Sequence, residues 1–207
     1  MRILAIVLCW WVGVANAAEM RVQTIEGQRY LVVKGSIDQG DDQRLRRTIE
    51  GSGGEFDAVT LDSPGGRLIA GMALGRAIRQ SKLATHVHGS HVCASACTFV
   101  LAGGVVRTAA PSARVGVHLA TMSRSDEYIS ALRSALLNRD LTLDDRIRVV
   151  VEVNEELATR ASFEQARYLQ EMGISLNLLI PISKTEANKM HWLTRRELVE
   201  VNLINSD

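Results

Sequence analysis

Apolar residues fall in short blocks along the first half of the chain, each closed by a cluster of glycine, serine or aspartate. Arg29 to Ile37 is rich in β-branched and apolar residues and predicts a strand. A turn follows over Asp38 to Asp42, then a helix from Gln43 to Glu50, closed by Gly51-Ser-Gly-Gly54. Phe56 to Leu61 reads as a short apolar strand, ended by Pro64-Gly65-Gly66. From Arg67 to Ser81 the period becomes helical. Leu68, Ile69, Met72 and Ile78 form an apolar stripe, and Gly71 and Gly75 a small-residue face. Leu83 to His88 predicts another strand, followed by a sharp turn at Ser95, a helix to about Leu101 and a strand over Val115 to Leu119. Such alternation of strands and helices points to an α/β fold with largely buried strands.

The pattern changes after Asp126. Tyr128 to Asn138, Leu143 to Thr159 and Ser162 to Met172 read as helices, the last capped at Gly173. They form a helical excursion over about 121–175. The charges of the second, from Asp144 to Glu156, suit a solvated face or an oligomer contact. Ile174 to Ile182 fits either helix or strand, and Thr194 to Val201 a final short helix.

The first residues have the makings of a secretion signal. Arg2 is a short basic start, Ile3 to Val14 is almost wholly apolar, and Ala15-Asn16-Ala17 fits small-x-small cleavage. That run is too short for the roughly 20 residues of a spanning helix. A signal over 1–17 implies a periplasmic or secreted protein with no stable membrane insertion after cleavage. About 190 of the 207 residues then remain, enough for one α/β domain with a sizeable core. Lys+Arg number 24 and Asp+Glu 23, and loss of Arg2 balances them. That balance argues against a general nucleic-acid binder.

Three motifs carry chemistry. His91-Val-Cys-Ala-Ser-Ala-Cys-Thr-Phe-Val100 sets the Ser95 hydroxyl at a strand-to-helix turn. Leu61-Asp-Ser-Pro-Gly-Gly66 ends a strand in a turn with backbone N–H groups free for a substrate. Ala113-Arg-Val-Gly-Val-His118 places an imidazole on a third strand. A nucleophile, a base and an anion-binding turn are the minimum for acyl transfer. Ser95 is then the nucleophile, His118 its base, and the N–H groups of Gly66 and Ala96 the oxyanion hole. The structural alternatives are an N-capping Ser95, a plain Gly65-Gly66 turn and a buried, satisfied His118. Cys93 and Cys97 flank Ser95. An oxidising compartment permits a disulfide between them, but a four-residue spacing at such a turn can miss the required geometry, and two small buried apolar side chains are the favoured reading. His86, His88 and His91 lie close together without a carboxylate to complete a metal site, so no metal or other cofactor is expected. His191 beside Trp192 reads as structural.

These motifs resemble the proteolytic subunit of Clp protease, and more closely its exported Clp-protease-like relatives. The resemblance covers residues 28–120 and resumes at Trp192-Leu-Thr-Arg-Arg-Glu-Leu-Val-Glu-Val-Asn-Leu-Ile204. It implies a spiral of β-β-α units, shared with crotonases, with an added helical segment in the C-terminal half. It also implies a serine peptidase and a homo-oligomer; the expected periplasmic address, away from cytosolic ATP and an unfoldase ring, implies action without ATP on peptides or unfolded protein. Where the family has its third triad member, an aspartate, this chain has Met190, with Asn188 and Glu186 nearby as polar substitutes. A non-catalytic peptide-binding or scaffolding protein is the alternative, and a crotonase-type acyl-CoA enzyme a weaker one.

Overall fold

The computed structural model describes residues 17–25, 27–53, 55–122 and 125–206. The signal expected at the start therefore lies outside the described residues, except for Ala17. Strands β1 (Glu19–Ile25), β2 (Gln28–Lys34), β3 (Ala58–Asp62), β4 (Thr85–Val87) and β6 (Arg107–Ala109) form one sheet in the order β1-β2-β3-β4-β6. β1 is antiparallel to β2 and the remaining pairs are parallel. A smaller sheet has the order β5-β7-β8, from Val92–Ala94, Arg114–Val117 and His191–Trp192. β5 runs parallel to β7, and β8 antiparallel to it.

The chain steps repeatedly from the larger sheet to the smaller. β4 is followed by β5 and then helix α3 (Ala96–Ala102), and β6 is followed by β7. Beyond β3, Ser63 bridges to Cys93 and the chain enters α2 (Leu68–Gln80). This is the expected β-β-α spiral, and it brings the ends of several strands to one edge.

Helices α1 (Asp41–Gly51), α2 and α3 cover the sheets. The small-residue face of α2 meets α3 backbone to backbone. A Cβ on Gly71 would stand 2.6 Å from Ala96 O, and one on Gly75 would stand 2.7 Å from Phe99 O. Leu74, Ala77, Ile78, Val100 and Leu101 are fully buried in the same layer.

Three strands escape the sequence pattern. β1 mixes exposed and half-buried positions at a sheet edge, so it lacks the apolar run that marks β2 and β3. β6 and β8 have three and two residues, set by their partners rather than by local preference. The two helices expected over 143–159 and 162–172 are one continuous helix, α5 (Leu143–Glu171). No proline or glycine interrupts residues 159–162, and threonine and serine alone do not stop a helix. With α4 (Asp126–Leu137) it forms a helical hairpin. The ambiguous stretch 174–182 is a 3-10 turn, Leu176–Leu178, running into α6 (Leu179–Lys184). Helix α7 (Arg195–Glu200) opens with a full capping box between Thr194 and Glu197.

Candidate active site

Strand β5 enters α3 through Ser95, whose backbone stands at φ 56° and ψ −123°. Non-glycine residues seldom hold a positive φ, and such residues gather at functional sites. The Ser95 N–H donates to Gly116 O at 2.8 Å, and Ser95 O accepts from the Thr98 N–H at 2.9 Å. Thr98 Oγ1 donates to the same Gly116 carbonyl at 3.0 Å. Ser95 occupies the N-cap position of α3, yet its side chain makes no capping bond. The ordinary structural use of a serine here is therefore absent, and the half-buried hydroxyl is left for other work.

Gly65 and Gly66 pass directly beside this turn. Both have positive φ, 103° and 150°. A Cβ on Gly65 would lie 2.7 Å from Ser95 Cβ, and one on Gly66 only 2.0 Å from Ile37 O. Glycine is required at both positions. The Ile37 N–H donates to Gly65 O at 2.8 Å and the Arg67 N–H to Ile37 O at 3.0 Å. In this parallel pairing, the N–H of Gly66 itself faces away from Ile37. Ala96 is the first residue of α3, so its N–H lacks an intrahelical acceptor.

His118 follows the last residue of β7, half-buried. The register Ala94↔Gly116 places Ser95 and His118 at the exits of adjacent parallel strands. No hydrogen bond joins the two side chains among the described residues; catalytic hydrogen bonds often tighten only once substrate is present. Nδ1 of His118 is buried and has no partner. The reason lies on the neighbouring strand. Gly116 pairs with Trp192 and Val117 with His191, and one further step of that register sets Met190 opposite His118. Met190 Cγ already lies 2.8 Å from where a Gly116 Cβ would stand. Of the polar substitutes, Asn188 is exposed and Glu186 is ion-paired with Lys189 at 2.7 Å. Neither hydrogen-bonds to His118.

Cys93 and Cys97 form a disulfide with a Cα–Cα separation of 5.1 Å. The favoured reading of two unlinked buried residues is corrected: both are fully buried, but bonded. The reversal at Ser95 folds the helix start back onto the strand end, which the spacing alone does not reveal. Gly116 was also missed as part of the site. Its carbonyl anchors both Ser95 and Thr98, and its missing side chain makes room for Met190 and Trp192.

The other histidines serve elsewhere. His86 and His88 have ring centroids 4.4 Å apart, and His88 and His91 5.3 Å apart. Burial, then the neighbouring imidazoles, pushes the pKa values of His86 and His88 down. Among the described residues, no three His, Cys, Asp or Glu side chains are arranged to hold a metal ion. His191 Nε2 lies 2.9 Å from Glu197 Oε1. Bonds from the Thr194 backbone and hydroxyl, aided by His191, bring the Glu197 carboxyl down to about 2.

No protein-family model matches the sequence, and no curated protein does. Among solved structures, the chain is similar to a mutant of ClpP1 from Listeria monocytogenes, with a TM-score of 0.55 and 18% identity over 85% of this chain and 88% of that one. The chain has a ClpP-like α/β fold. At that identity the likeness defines the architecture alone. The ClpP-like fold here carries the β-β-α spiral, the turn at Ser95 and the strand that leads into His118. Among the described residues, no helix is long and apolar enough to cross a membrane.

Proposed function

We propose that the protein is an exported serine peptidase that cleaves short or unfolded peptides by acyl-enzyme chemistry, without ATP. The observation that carries this reading is the Ser95 turn: a positive-φ serine with an uncommitted side chain, beside Gly65-Gly66 and level with the strand that ends at His118. In the reaction, Ser95 Oγ attacks the peptide carbonyl while His118 takes its proton. The developing oxyanion accepts hydrogen bonds from the N–H groups of Gly66 and Ala96, donors worth about 3–4 kcal/mol each by typical removal costs. The imidazolium protonates the leaving amine, and water activated by the same ring releases the acid.

A fluorophosphonate probe tests the assignment. Labelling should vanish in Ser95→Ala and fall by about 10³-fold or more in His118→Ala. Folded wild-type protein that takes no label, or Ser95→Ala that labels normally, removes the peptidase reading. One observation favours a second reading, a peptide-binding protein without turnover: the unpartnered Nδ1 of His118, with methionine opposite. Peptide binding without labelling or cleavage would identify it.

Export is inferred from residues 1–17, and N-terminal sequencing of the mature chain should then begin at Ala18. The helical hairpin supports self-association. Leu136, Leu137, Leu143, Ile147 and Val151 are exposed apolar side chains there, the kind of surface that a partner contact covers. Sedimentation equilibrium should show a homo-oligomer that dissociates when Leu137 and Leu143 are replaced by glutamate. A wild-type monomer at micromolar concentration rejects this assembly.

A further inference from the structure

We infer that the Cys93–Cys97 disulfide is the positioning device of the Ser95 turn, so that the site is completed by oxidation and dismantled by reduction. This rests on the serine-peptidase reading and adds the regulation of that same site.

A serine at φ 56° and ψ −123° is strained and persists only where its surroundings enforce it. The non-covalent restraints are the bonds of Ser95 to Gly116 and Thr98, the bond of Thr98 Oγ1 to the same Gly116 carbonyl, and the contact with Gly65. These hydrogen bonds can open one at a time, and none is a covalent tie between β5 and the first turn of α3. The disulfide does so, joining the middle residue of β5 to the second residue of α3 with Ser95 midway between. It thereby sets the angle between strand and helix, and with it both the direction of Ser95 Oγ and that of the Ala96 N–H. The nucleophile and one oxyanion donor thus share one covalent restraint.

Reduction takes two electrons and two protons from an external dithiol, which is oxidised to its own cyclic disulfide. The Sγ–Sγ bond breaks and two thiols remain. Two unbonded sulfurs need more room than two bonded ones, and the surroundings offer little. Both cysteines are fully buried, and α3 already lies against the α2 backbone at Gly71 and Gly75. The turn at Ser95 is the segment free to relax, towards the negative φ that serine prefers. The sequence holds three cysteines, and the third, Cys9, falls in the expected leader. Once the leader is removed, the two sulfurs have only each other as partners within the chain. A chain made in a reducing compartment would thus carry an unfinished site until it meets a disulfide oxidant.

The test compares three preparations of the full-length mature protein: oxidised, refolded from urea in dithiothreitol, and Cys93→Ala/Cys97→Ala. Alkylation and mass measurement confirm the thiol count, and circular dichroism confirms the fold. Fluorophosphonate kinetics should show kinact lower by about 10²-fold in the reduced and double-alanine forms, the cost of an ångström-scale misplacement, with KI within about twofold. Reoxidation with glutathione disulfide, which is itself reduced to two thiols, should restore kinact. Amide exchange over residues 94–98 should quicken by about tenfold on reduction. Equal kinact in folded oxidised and reduced protein overturns the inference and leaves the peptidase reading standing. Should the oxidised protein not label at all, that reading fails instead, and exchange decides the rest. Faster exchange on reduction upholds the disulfide as the positioning device, and unchanged exchange overturns it.

Discussion

Replacing Met190 by aspartate should raise the rate of acyl-enzyme formation by about 10²-fold, part of the roughly 10⁴ that an orienting carboxylate supplies in serine proteases. The register of β7 and β8 sets residue 190 opposite His118, and His118 Nδ1 is buried without a partner. A carboxylate there would accept the Nδ1 proton, fix the tautomer that leaves Nε2 free as base, and stabilise the imidazolium formed during attack. Methionine does none of this, although its flexible thioether fills the space above Gly116. The measurement is fluorophosphonate kinact for wild type, Met190→Asp and the sterically similar Met190→Leu. Only the aspartate variant should gain. If Met190→Asp and Met190→Leu label at the same rate, residue 190 does not face the imidazole productively and the account of the missing partner is wrong.

Arg107→Met should lower Tm by about 6–12 °C, the equivalent of roughly 3 kcal/mol in a domain of this size. Arg107 is only 2% exposed, and its hydrogen-bond partners among the described residues include no carboxylate. Its guanidinium instead donates to three backbone carbonyls: Gly104 O at 3.0 Å, Asn202 O at 2.9 Å and Leu203 O at 3.2 Å. Burial, with Arg79 as a second cause, depresses its pKa to about 10, which still leaves it charged at pH 7. Methionine can fill the volume but leaves the carbonyls stranded. The Asn205 amide oxygen also accepts from the Arg107 N–H at 2.7 Å, so the chain from 202 to 205 is pinned to β6. Differential scanning calorimetry checks the prediction. A Tm within about 2 °C of wild type would mean that water replaces the guanidinium without cost.

The strands and helices that carry dense apolar runs were legible in the sequence. β2, β3 and α2 hold most of their signal within themselves, because each presents a continuous face to the core. β6 and β8 do not, since their few residues become strands only by pairing with β4 and β7. The candidate site was legible where its chemistry is carried by residue type: a serine between small residues, a glycine pair, a histidine ending a strand. Where it depends on turn geometry, sequence was silent. Residues four apart are about 13 Å apart in a strand and about 6 Å along a helix. Spacing therefore could not decide the Cys93–Cys97 bridge; the left-handed step at Ser95 decides it. The partner of His118 was likewise a matter of register across sheets, and Arg107 gave no sign that its charge would be satisfied by carbonyls.

Helix α5 runs for 29 residues, yet only Gln165, Tyr168 and Leu169, all near its C-terminal end, are buried. Tyr168 Oη donates to Phe99 O at 2.5 Å and anchors that end to the helix that begins beside Ser95. The remaining turns pack at most half-buried side chains against α4, so they stand out from the sheets on a single anchored end and can present their outer face to a partner while the core stays as it is.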